Sequence, residues 1–292
     1  MGHLRWYLQE VGTNDMTREK LLIFDFNNLL HRSIHAYAGL SHEGVPTSGI
    51  FGFIVIFCHQ INLHRPDKVL VCTDSPPYSR KDLFPEYKED RKPLEEDMKI
   101  ILKMNGGFCE DFLDLLGVTL WKEEGQEADD LIAIAADEHS SEGKEIVIVS
   151  NDDDLFTLFK YPRITLQRGK NTYTREMYLA EYPNMSAKKW VEVQAMAGSH
   201  NGVPGVKGIG VKTAIKILDH PDKITDNIKQ KVADNKDRIE LFKKIIKLPY
   251  DPSIEPCEIT TADFDLRDVI NKVAEWGITF QNNFSEAIES LK

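Results

Sequence analysis

Three short apolar runs in this chain each end on acidic side chains. Leu21-Leu22-Ile23-Phe24 leads into Asp25, and Val69-Leu70-Val71-Cys72-Thr73 leads into Asp74. Ile146-Val147-Ile148-Val149-Ser150 passes through Asn151 into Asp152-Asp153-Asp154. Short Val, Ile and Leu runs separated by helical stretches predict parallel strands buried on both faces. Between them the pattern predicts a helix from about Asn28 and a second from Thr47 to about Leu63. A strand follows at Lys68–Thr73. Residues 75–93 are rich in proline and charge and read as an exposed excursion. An amphipathic helix is expected over 94–116, interrupted at Gly106-Gly107. A short strand is expected at Val118–Trp121, then a helix from about Ala128 opened by Glu127-Ala128-Asp129-Asp130. Beyond Pro183 the chain turns helical and basic, with a glycine-rich loop at 202–210. The right-handed crossover rule then gives a doubly wound α/β sheet, residues 21–182, followed by a helical region, 183–292. Residues 1–20 read as an extension of low structural content.

The strand ends carry the chemistry. In open α/β sheets, sites form beyond the carboxyl ends of the strands. If the three strands are parallel, their carboxylates meet at one edge and cannot all stay ionised without a compensating cation. All-oxygen donors favour a hard divalent ion, Mg²⁺ foremost. Each carboxylate taken singly also reads as a helix N-cap or turn residue, and Asp129 and Asp130 as first-turn residues favouring the helix dipole. The joint pattern is what points to a metal: Glu127 and Asp130 can share a helix face, and Asp152 and Asp154 one side of an extended backbone. Mg²⁺ held by carboxylates suits phosphoryl chemistry.

Two basic groups accompany the acidic one. Arg80 and Lys81 precede Phe84-Pro85-Glu86-Tyr87-Lys88-Glu89-Asp90-Arg91, where one helical turn would place Lys88 and Arg91 on one side. Such cations could steady a scissile phosphate, and Tyr87 could stack on an unpaired base. A solvated charged loop is the alternative reading. The second group is Gly202-Val203-Pro204-Gly205-Val206-Lys207-Gly208-Ile209-Gly210-Val211-Lys212-Thr213-Ala214. Its glycines allow close approach of a ligand backbone, and the helix starting near Val211 can receive a phosphate. An ordinary hairpin between helices remains open, while the Gly-Lys-Ser/Thr ending of a Walker loop is absent. His31 and His35, four apart, read as packing or phosphate-contact residues.

Composition constrains little further. The chain has 292 residues and a formal net charge of −11, which on its face disfavours a nucleic-acid partner. Clustered metal-binding carboxylates would account for several of those charges, so distribution matters more than the sum. The four cysteines, Cys58, Cys72, Cys109 and Cys257, are scattered, suggesting neither zinc site nor disulfide framework. No apolar stretch is long enough to span a bilayer and no signal-peptide pattern is present, so the cytoplasm is the expected location.

Together these motifs resemble the 5′-nuclease family: bacteriophage 5′–3′ exonucleases, the 5′-nuclease domain of bacterial DNA polymerase I, and flap endonucleases. Asp25 with Asn28, and Asp74, match the family's first two Asp motifs. Thr47-Ser48-Gly49 with Gly52 resembles its early DNA-facing helix. Arg80, Tyr87, Lys88 and Arg91 resemble its R…YK..R element. Glu127-Ala128-Asp129-Asp130 matches E-A-D-D, Asp152 with Asp154 matches T-D-x-D, and Pro204–Gly210 matches the P-G-V-x-G-I-G hairpin of the helix–three-turn–helix module.

The resemblance implies a PIN-like, mainly parallel sheet flanked by helices, with a helical arch over 80–116 and a C-terminal helix–three-turn–helix module. It implies a Mg²⁺-dependent structure-specific 5′ nuclease, with Mn²⁺ able to substitute, cutting DNA at 5′ flaps, nicks or ends. Asp25, Asp74, Glu127, Asp129 and Asp130 would organise one ion, and Asp152 and Asp154 a second. Lys88 and Arg91 would steady the phosphate, with Arg80 and Tyr87 also on substrate. Gly205, Lys207, Gly208, Gly210 and Lys212 would grip duplex, with K⁺ on the carbonyls of Val206 and Ile209. One departure stands out. Where most relatives carry aspartates completing the second metal site, this chain reads Gly198-Ser199-His200-Asn201-Gly202, so a weakly held second cation is expected. A monomer is expected, and the compact form resembles phage replication enzymes, which would place it in host cytoplasm. A catalytically weak junction-binding protein and an RNase H-like remover of RNA primers, acting on an RNA/DNA hybrid, are the rival readings.

Overall fold

The structure, a computed structural model, describes residues 18–89, 93–199, 202–279 and 282–292. Its centre is β1 (Lys20–Asp25), in which every residue after Lys20 is buried. A two-residue ribbon, β2 (Ser41–His42) with β3 (Val45–Pro46), lies apart from the main sheet. The main sheet has the order β5-β4-β1-β6-β7-β8, with β4 Lys68–Cys72, β5 Thr119–Trp121, β6 Glu145–Val149, β7 Ile164–Arg168 and β8 Asn171–Thr174. The first five strands in that order run parallel, and β8 returns antiparallel to β7. Leu22 of β1 pairs with Val69 on one side and Val147 on the other. From β1 the chain winds outward to β4 and β5, then returns across the sheet to β6 and β7. The carboxyl ends of β1 and β6 therefore form the topological switch point, where such sheets bind ligands.

Alternation along each strand splits the core in two. Leu21, Ile23, Leu70, Ile146 and Ile148 face one layer, while Leu22, Phe24, Val71, Val147 and Val149 face the other. The second layer is built by α1 (Phe26–Ala36), α2 (Ser48–His64) and the end of α4 (Glu96–Leu115); α3 is the single turn Arg80–Leu83. The first layer contains α5 (Ala128–Ser141), the 3₁₀ helix Asp153–Lys160 and, after the short α6 (Arg175–Glu181), α7 (Ala187–Ala197). The remaining helices are α8 (Val211–Asp219), α9 (Asp226–Asp234), α10 (Lys236–Ile246), α11 (Leu266–Glu275) and α12 (Asn282–Glu289). Among the described residues of 183–292, helices flank an irregular stretch over 247–265, and their buried apolar side chains join the two layers of the sheet. Phe242 and Ile245 of α10 join the first layer, whereas Val269, Val273 and Ile288 of α11 and α12 join the second.

Three expectations change on contact with the structure. Thr47, Ser48, Gly49 and Gly52 are buried rather than presented to a ligand. A Cβ on Gly49 would lie 2.6 Å from Asn105 Cβ, and one on Gly52 would lie 2.7 Å from Ser33 Cβ. These glycines let α2 seat closely against α4 and α1. Asn105 seals the contact by accepting from the Ile50 N–H at 3.0 Å and donating to the carbonyls of Pro46 and Ile101. Secondly, Gly106-Gly107 does not interrupt α4, which runs unbroken through the pair because its flanking turns are anchored by buried Asn105, Cys109, Phe112 and Leu113. Those same buried residues assign the last turns of α4 to the core, so the whole of 80–116 does not form a free arch. Thirdly, β7, β8 and the 3₁₀ helix have no counterpart among the predicted elements.

Gly52→Ala should lower stability by about 1–3 kcal/mol, because an added methyl has nowhere to go. Gly107→Ala should raise it by up to about 1 kcal/mol, since its methyl meets nothing within 4 Å and the residue is helical. Urea unfolding midpoints at unchanged m-value read both effects, and equal effects of one sign would refute the packing assignment.

Candidate metal centre and nucleic-acid interface

Asp25 closes β1 and caps α1. Its Oδ1 accepts from the Asn28 N–H at 3.0 Å, and its Oδ2 accepts from the Ser150 hydroxyl at 2.8 Å, at the end of β6. Asp74 follows β4; its Oδ1 accepts from the Ala128 N–H at 2.8 Å and its Oδ2 from the Tyr78 hydroxyl at 2.8 Å. Asp152 caps the 3₁₀ helix by accepting from the Asp154 N–H at 2.9 Å. The sheet register thus delivers three strand-end aspartates to one place. Asp25, Asp74, Glu127, Asp129 and Asp152 line one cavity of about 360 Å³ together with Lys88, Arg32 and His31. His35, by contrast, is exposed to solvent.

Within this set, Asp129, Asp152 and Asp154 each offer an oxygen within 4.8 Å of the others, a spacing one cation can span. This differs from the expected division, which put Asp129 with Asp25 and left Asp152 and Asp154 as a separate pair. Burial pushes the Asp25 carboxyl up to about 7, with Asp74 and Asp152 adding repulsion against the relief given by Asn28 and Ser150. Burial, then Asp152, Asp25 and Asp154, hold Asp129 well above the usual carboxylate range. Asp154 is pushed up to about 8 by burial and Asp152, against a hydrogen bond from the Gln194 amide. Near neutral pH these groups require either protons or a metal. An all-carboxylate donor set of this spacing fits a hard divalent ion.

The remaining acidic residues are neutralised internally, which corrects several expectations. Asp130 is fully buried: the Arg80 guanidinium holds both its oxygens, with Nη2 to Oδ1 at 2.8 Å, and the Tyr250 N–H donates to Oδ1 at 2.8 Å. It also accepts from the Glu127 N–H at 3.3 Å, the return bond of a capping box. With no oxygen left and no exposure, Asp130 is a structural anion rather than a metal ligand. Arg80 is itself only 3 % exposed. Its Nη1 donates to Glu127 at 2.9 Å and its Nε to the Ile245 carbonyl at 2.8 Å. It therefore staples the fold and does not face a substrate.

Tyr87 is likewise buried, donating its hydroxyl to Glu127 at 2.7 Å. A Cβ on Gly202 would lie 2.7 Å from its Cε2, so the hairpin packs against a ring that base stacking would need free. Burial and Glu127 raise the Tyr87 phenol well above its ordinary value. Glu127 takes Lys88 on its other oxygen, and although burial opposes ionisation, Arg80, Lys88 and Tyr87 hold its pKa below the usual range. Lys88 has a left-handed backbone (φ 63°), and its ammonium sits 4.4 Å from the Tyr78 ring centroid while lining the metal cavity. Arg91 lies outside the described residues, as do His200 and Asn201 of the 198–202 stretch.

At the hairpin, the Val206 N–H donates to the Met196 carbonyl at 2.8 Å, tying the loop to the end of α7. Gly205 (φ 66°) packs so closely that a Cβ would lie 2.2 Å from the Gly198 nitrogen. Val203, Val206 and Ile209 turn inward, while Lys207, Gly208, Gly210 and Lys212 are exposed at the start of α8. The Val206 carbonyl accepts from the Ile209 N–H at 2.9 Å. Two cations escaped sequence reasoning. Lys231 brings its amine to the hairpin, 3.0 Å from where a Gly208 Cβ would sit. Arg32 lines the metal cavity and leaves Nη1 buried without a hydrogen-bond partner. Burial lowers the Arg32 pKa and Asp25 opposes that shift. Its position four residues after Asn28, on the same helix face, was the available signal.

Residues 20–189 match the family described as the 5′-3′ exonuclease, N-terminal resolvase-like domain. The chain is 28% identical over 249 residues to a 5′-3′ exonuclease of Aquifex aeolicus, covering 82% of this chain and 84% of that protein. It is 28% identical over 291 residues to DNA polymerase I of Caldicellulosiruptor bescii, covering 93% of this chain but 33% of the polymerase. The chain thus spans about a third of that polymerase's length. Among solved structures, the fold is shared with the T5 D15 protein co-crystallized with metal ions (TM-score 0.65, 16% identity, 94% of this chain and 98% of that one). It is shared also with flap endonuclease-1 from Methanococcus jannaschii (TM-score 0.60, 18% identity, 95% and 92%). By the match over 20–189, this chain belongs to the 5′-3′ exonuclease, N-terminal resolvase-like family.

Proposed function

We propose that this protein is a Mg²⁺-dependent, structure-specific 5′ nuclease that hydrolyses phosphodiesters where duplex DNA meets a 5′ flap, nick or end. The observation that supports this reading most is the convergence of Asp129, Asp152 and Asp154, with Asp25 and Asp74 on the same cavity, at the sheet's switch point. Bound Mg²⁺ would supply an activated water and offset charge on the phosphodiester oxygens, and Mn²⁺ could take its place. Asp129, Asp152 and Asp154 would hold the ion. Asp25 and Asp74 complete the acidic rim, kept in place by Ser150, the Asn28 N–H, Tyr78 and the Ala128 N–H. Glu127, saturated by Arg80, Lys88 and Tyr87, acts from behind this rim as a charge that positions Lys88.

Lys88 and Arg32 face the cavity and would hold the scissile phosphate, a role the sequence resemblance extends to Arg91. The exposed edge of the hairpin, Lys207, Gly208, Gly210 and Lys212, meets the downstream duplex through its phosphates, without reading bases. Gly205 shapes that edge, and the carbonyls of Val206 and Ile209 would hold a K⁺ ion there. The protein acts as a monomer in the cytoplasm. No described helix is long and apolar enough to cross a membrane, and the cysteines are unpaired, as suits a reducing compartment.

Three outcomes are expected. The double substitution Asp74→Asn with Asp129→Asn should slow cleavage of a labelled 5′-flap duplex by at least about a hundredfold. A parent protein that cuts no faster than this double variant would exclude an enzyme. Because the 198–202 stretch carries no carboxylate, half-maximal cleavage should need metal well above the micromolar range; saturation at micromolar Mg²⁺ would refute the weak second site.

The third concerns pH. Raised carboxyl pKa values mean that Asp25 and Asp154 favour the metal-free fold while protonated, and that this stabilisation is lost as pH rises through about 7 and 8. Metal binding must displace those protons, so the rise in Tm produced by Mg²⁺ should be larger at pH 8 than at pH 6. Equal shifts at the two pH values would contradict the assignment of these groups to the metal centre.

A further inference from the structure

A second concentration of charge, opposite in sign, lies beyond the far end of the 3₁₀ helix that begins at the metal centre. A cavity of about 450 Å³ there is lined by Lys160, Lys188, Lys243, Lys244 and Lys247. The lysines come from three separate elements: the end of the 3₁₀ helix, the first turn of α7, and the end of α10 with the residue after it. Glu192 and Glu240 are the only acidic residues on its walls, and Glu240 is paired with Lys243 at 3.1 Å. Among the described residues, Lys160, Lys188, Lys244 and Lys247 form no ion pair. Lys160 instead rests 4.7 Å from the Tyr161 ring centroid. Its pKa is lowered by burial first, against Asp137, with Lys188 and Lys247 adding repulsion; these amines therefore feel one another.

Five lysines face two glutamates here, one of them already taken by Lys243, so the wall keeps an excess of positive charge that an anion would offset. Such a gathering is the more pointed in a chain whose net charge is −11. The start of α7, an eleven-residue helix whose N-cap Ser186 makes no side-chain capping bond, faces the same cavity through Ala187 and Lys188. The positive end of its helix dipole adds to the potential there. The rest of the wall is mostly apolar, supplied by Ala187, Val191, Leu248 and the methylene stems of the lysines, with Thr157 beside them. Cations around an apolar floor suit a ligand that carries a phosphate on a flat, weakly polar body, and the volume accommodates one or two nucleotides. Leu248 separates this cavity from the small one bordered by Asp129, Asp154 and Ser199, so the two charge centres share a wall but no polar lining.

We propose that this cavity is a second, non-catalytic phosphate site, which takes a nucleotide phosphate either within a single strand or as a free nucleotide. Only the choice of a nucleic-acid ligand rests on the nuclease reading; the phosphate chemistry does not. The test uses the full chain in EDTA, where no cleavage occurs, so loss of activity cannot imitate failure of this site. Binding of labelled oligo(dT), of thymidine 5′-monophosphate and of inorganic phosphate is measured across a salt series for the parent, for K188E/K247E and for the neutral K188Q/K247Q. In parallel, acetic anhydride labelling read by mass spectrometry reports whether ligand shields Lys160.

For a strand, the charge-reversed variant should bind oligo(dT) at least about tenfold more weakly. Its slope of log affinity against log salt should fall by about 1.4, two contacts at about 0.7 each, and the neutral variant should show the same fall in slope. Shielding of Lys160 by oligo(dT) alone would assign the site to a strand, and equal shielding by the mononucleotide or phosphate would assign it to a free nucleotide. Unchanged affinity and slope in both variants, with Lys160 unshielded by every ligand, would overturn the proposal.

Discussion

Carboxylates brought together at the carboxyl edge of a buried parallel sheet are the constraint on which the rest of this structure depends. The registers of β1 with β4 and β6 leave no freedom: aligning Leu22 with Val69 and Val147 carries Asp25, Asp74 and Asp152 to one cavity. Burial and mutual repulsion then make full ionisation unfavourable. The protein resolves the conflict in two ways. Glu127 and Asp130 are neutralised by the chain's own Arg80 and Lys88. Asp25, Asp129 and Asp154, whose carboxyls burial holds well above the usual range, are left to protons or to a metal. The boundary between these two sets is the boundary between scaffold and the acidic cavity.

Arg80 makes that division durable. Its guanidinium joins the loop after β4 to the start of α5 and to the end of α10, and lies 4.9 Å from the ring centroid of Tyr250. Burial disfavours its charge, but Asp130 and Glu127 outweigh that and raise its pKa. Removing one partner from a buried ion pair of this kind typically costs about 3–5 kcal/mol, because the other charge is left uncompensated. The C-terminal helices are thereby tied to the rim of the metal centre. Tyr87 extends the tie to the hairpin, since its ring lies under Gly202 while its hydroxyl reaches Glu127.

The 3₁₀ helix gives the molecule a second axis. Capped by Asp152, it starts on Asp153 and Asp154 and ends on Lys160, so one eight-residue helix joins an acidic centre to a basic one. A net charge of −11 conceals this arrangement completely. Dispersed lysines contribute little to a surface until tertiary packing brings the ends of three elements around one hollow.

The sequence alone determined the strands that position the centre and the acidic residues that close them. An unbroken apolar run has few alternatives to a buried strand, and polar residues at its end must lie beyond the sheet. β7 and β8 were not legible, because Ile164–Arg168 and Asn171–Thr174 mix polar and apolar residues and carry no such run. Tertiary structure decided which carboxylates are free and which are consumed. Asp129 and Asp130 are neighbours of one type in one helical turn, yet one faces the cavity and the other meets Arg80, fifty positions away. In the same way, whether a glycine marks a break, a ligand approach or a helix contact depended on what stood opposite it: Asn105 for Gly49, open space for Gly107. Local pattern fixes the backbone's path, but burial and partner choice are settled by residues remote in the chain, and those decide chemistry.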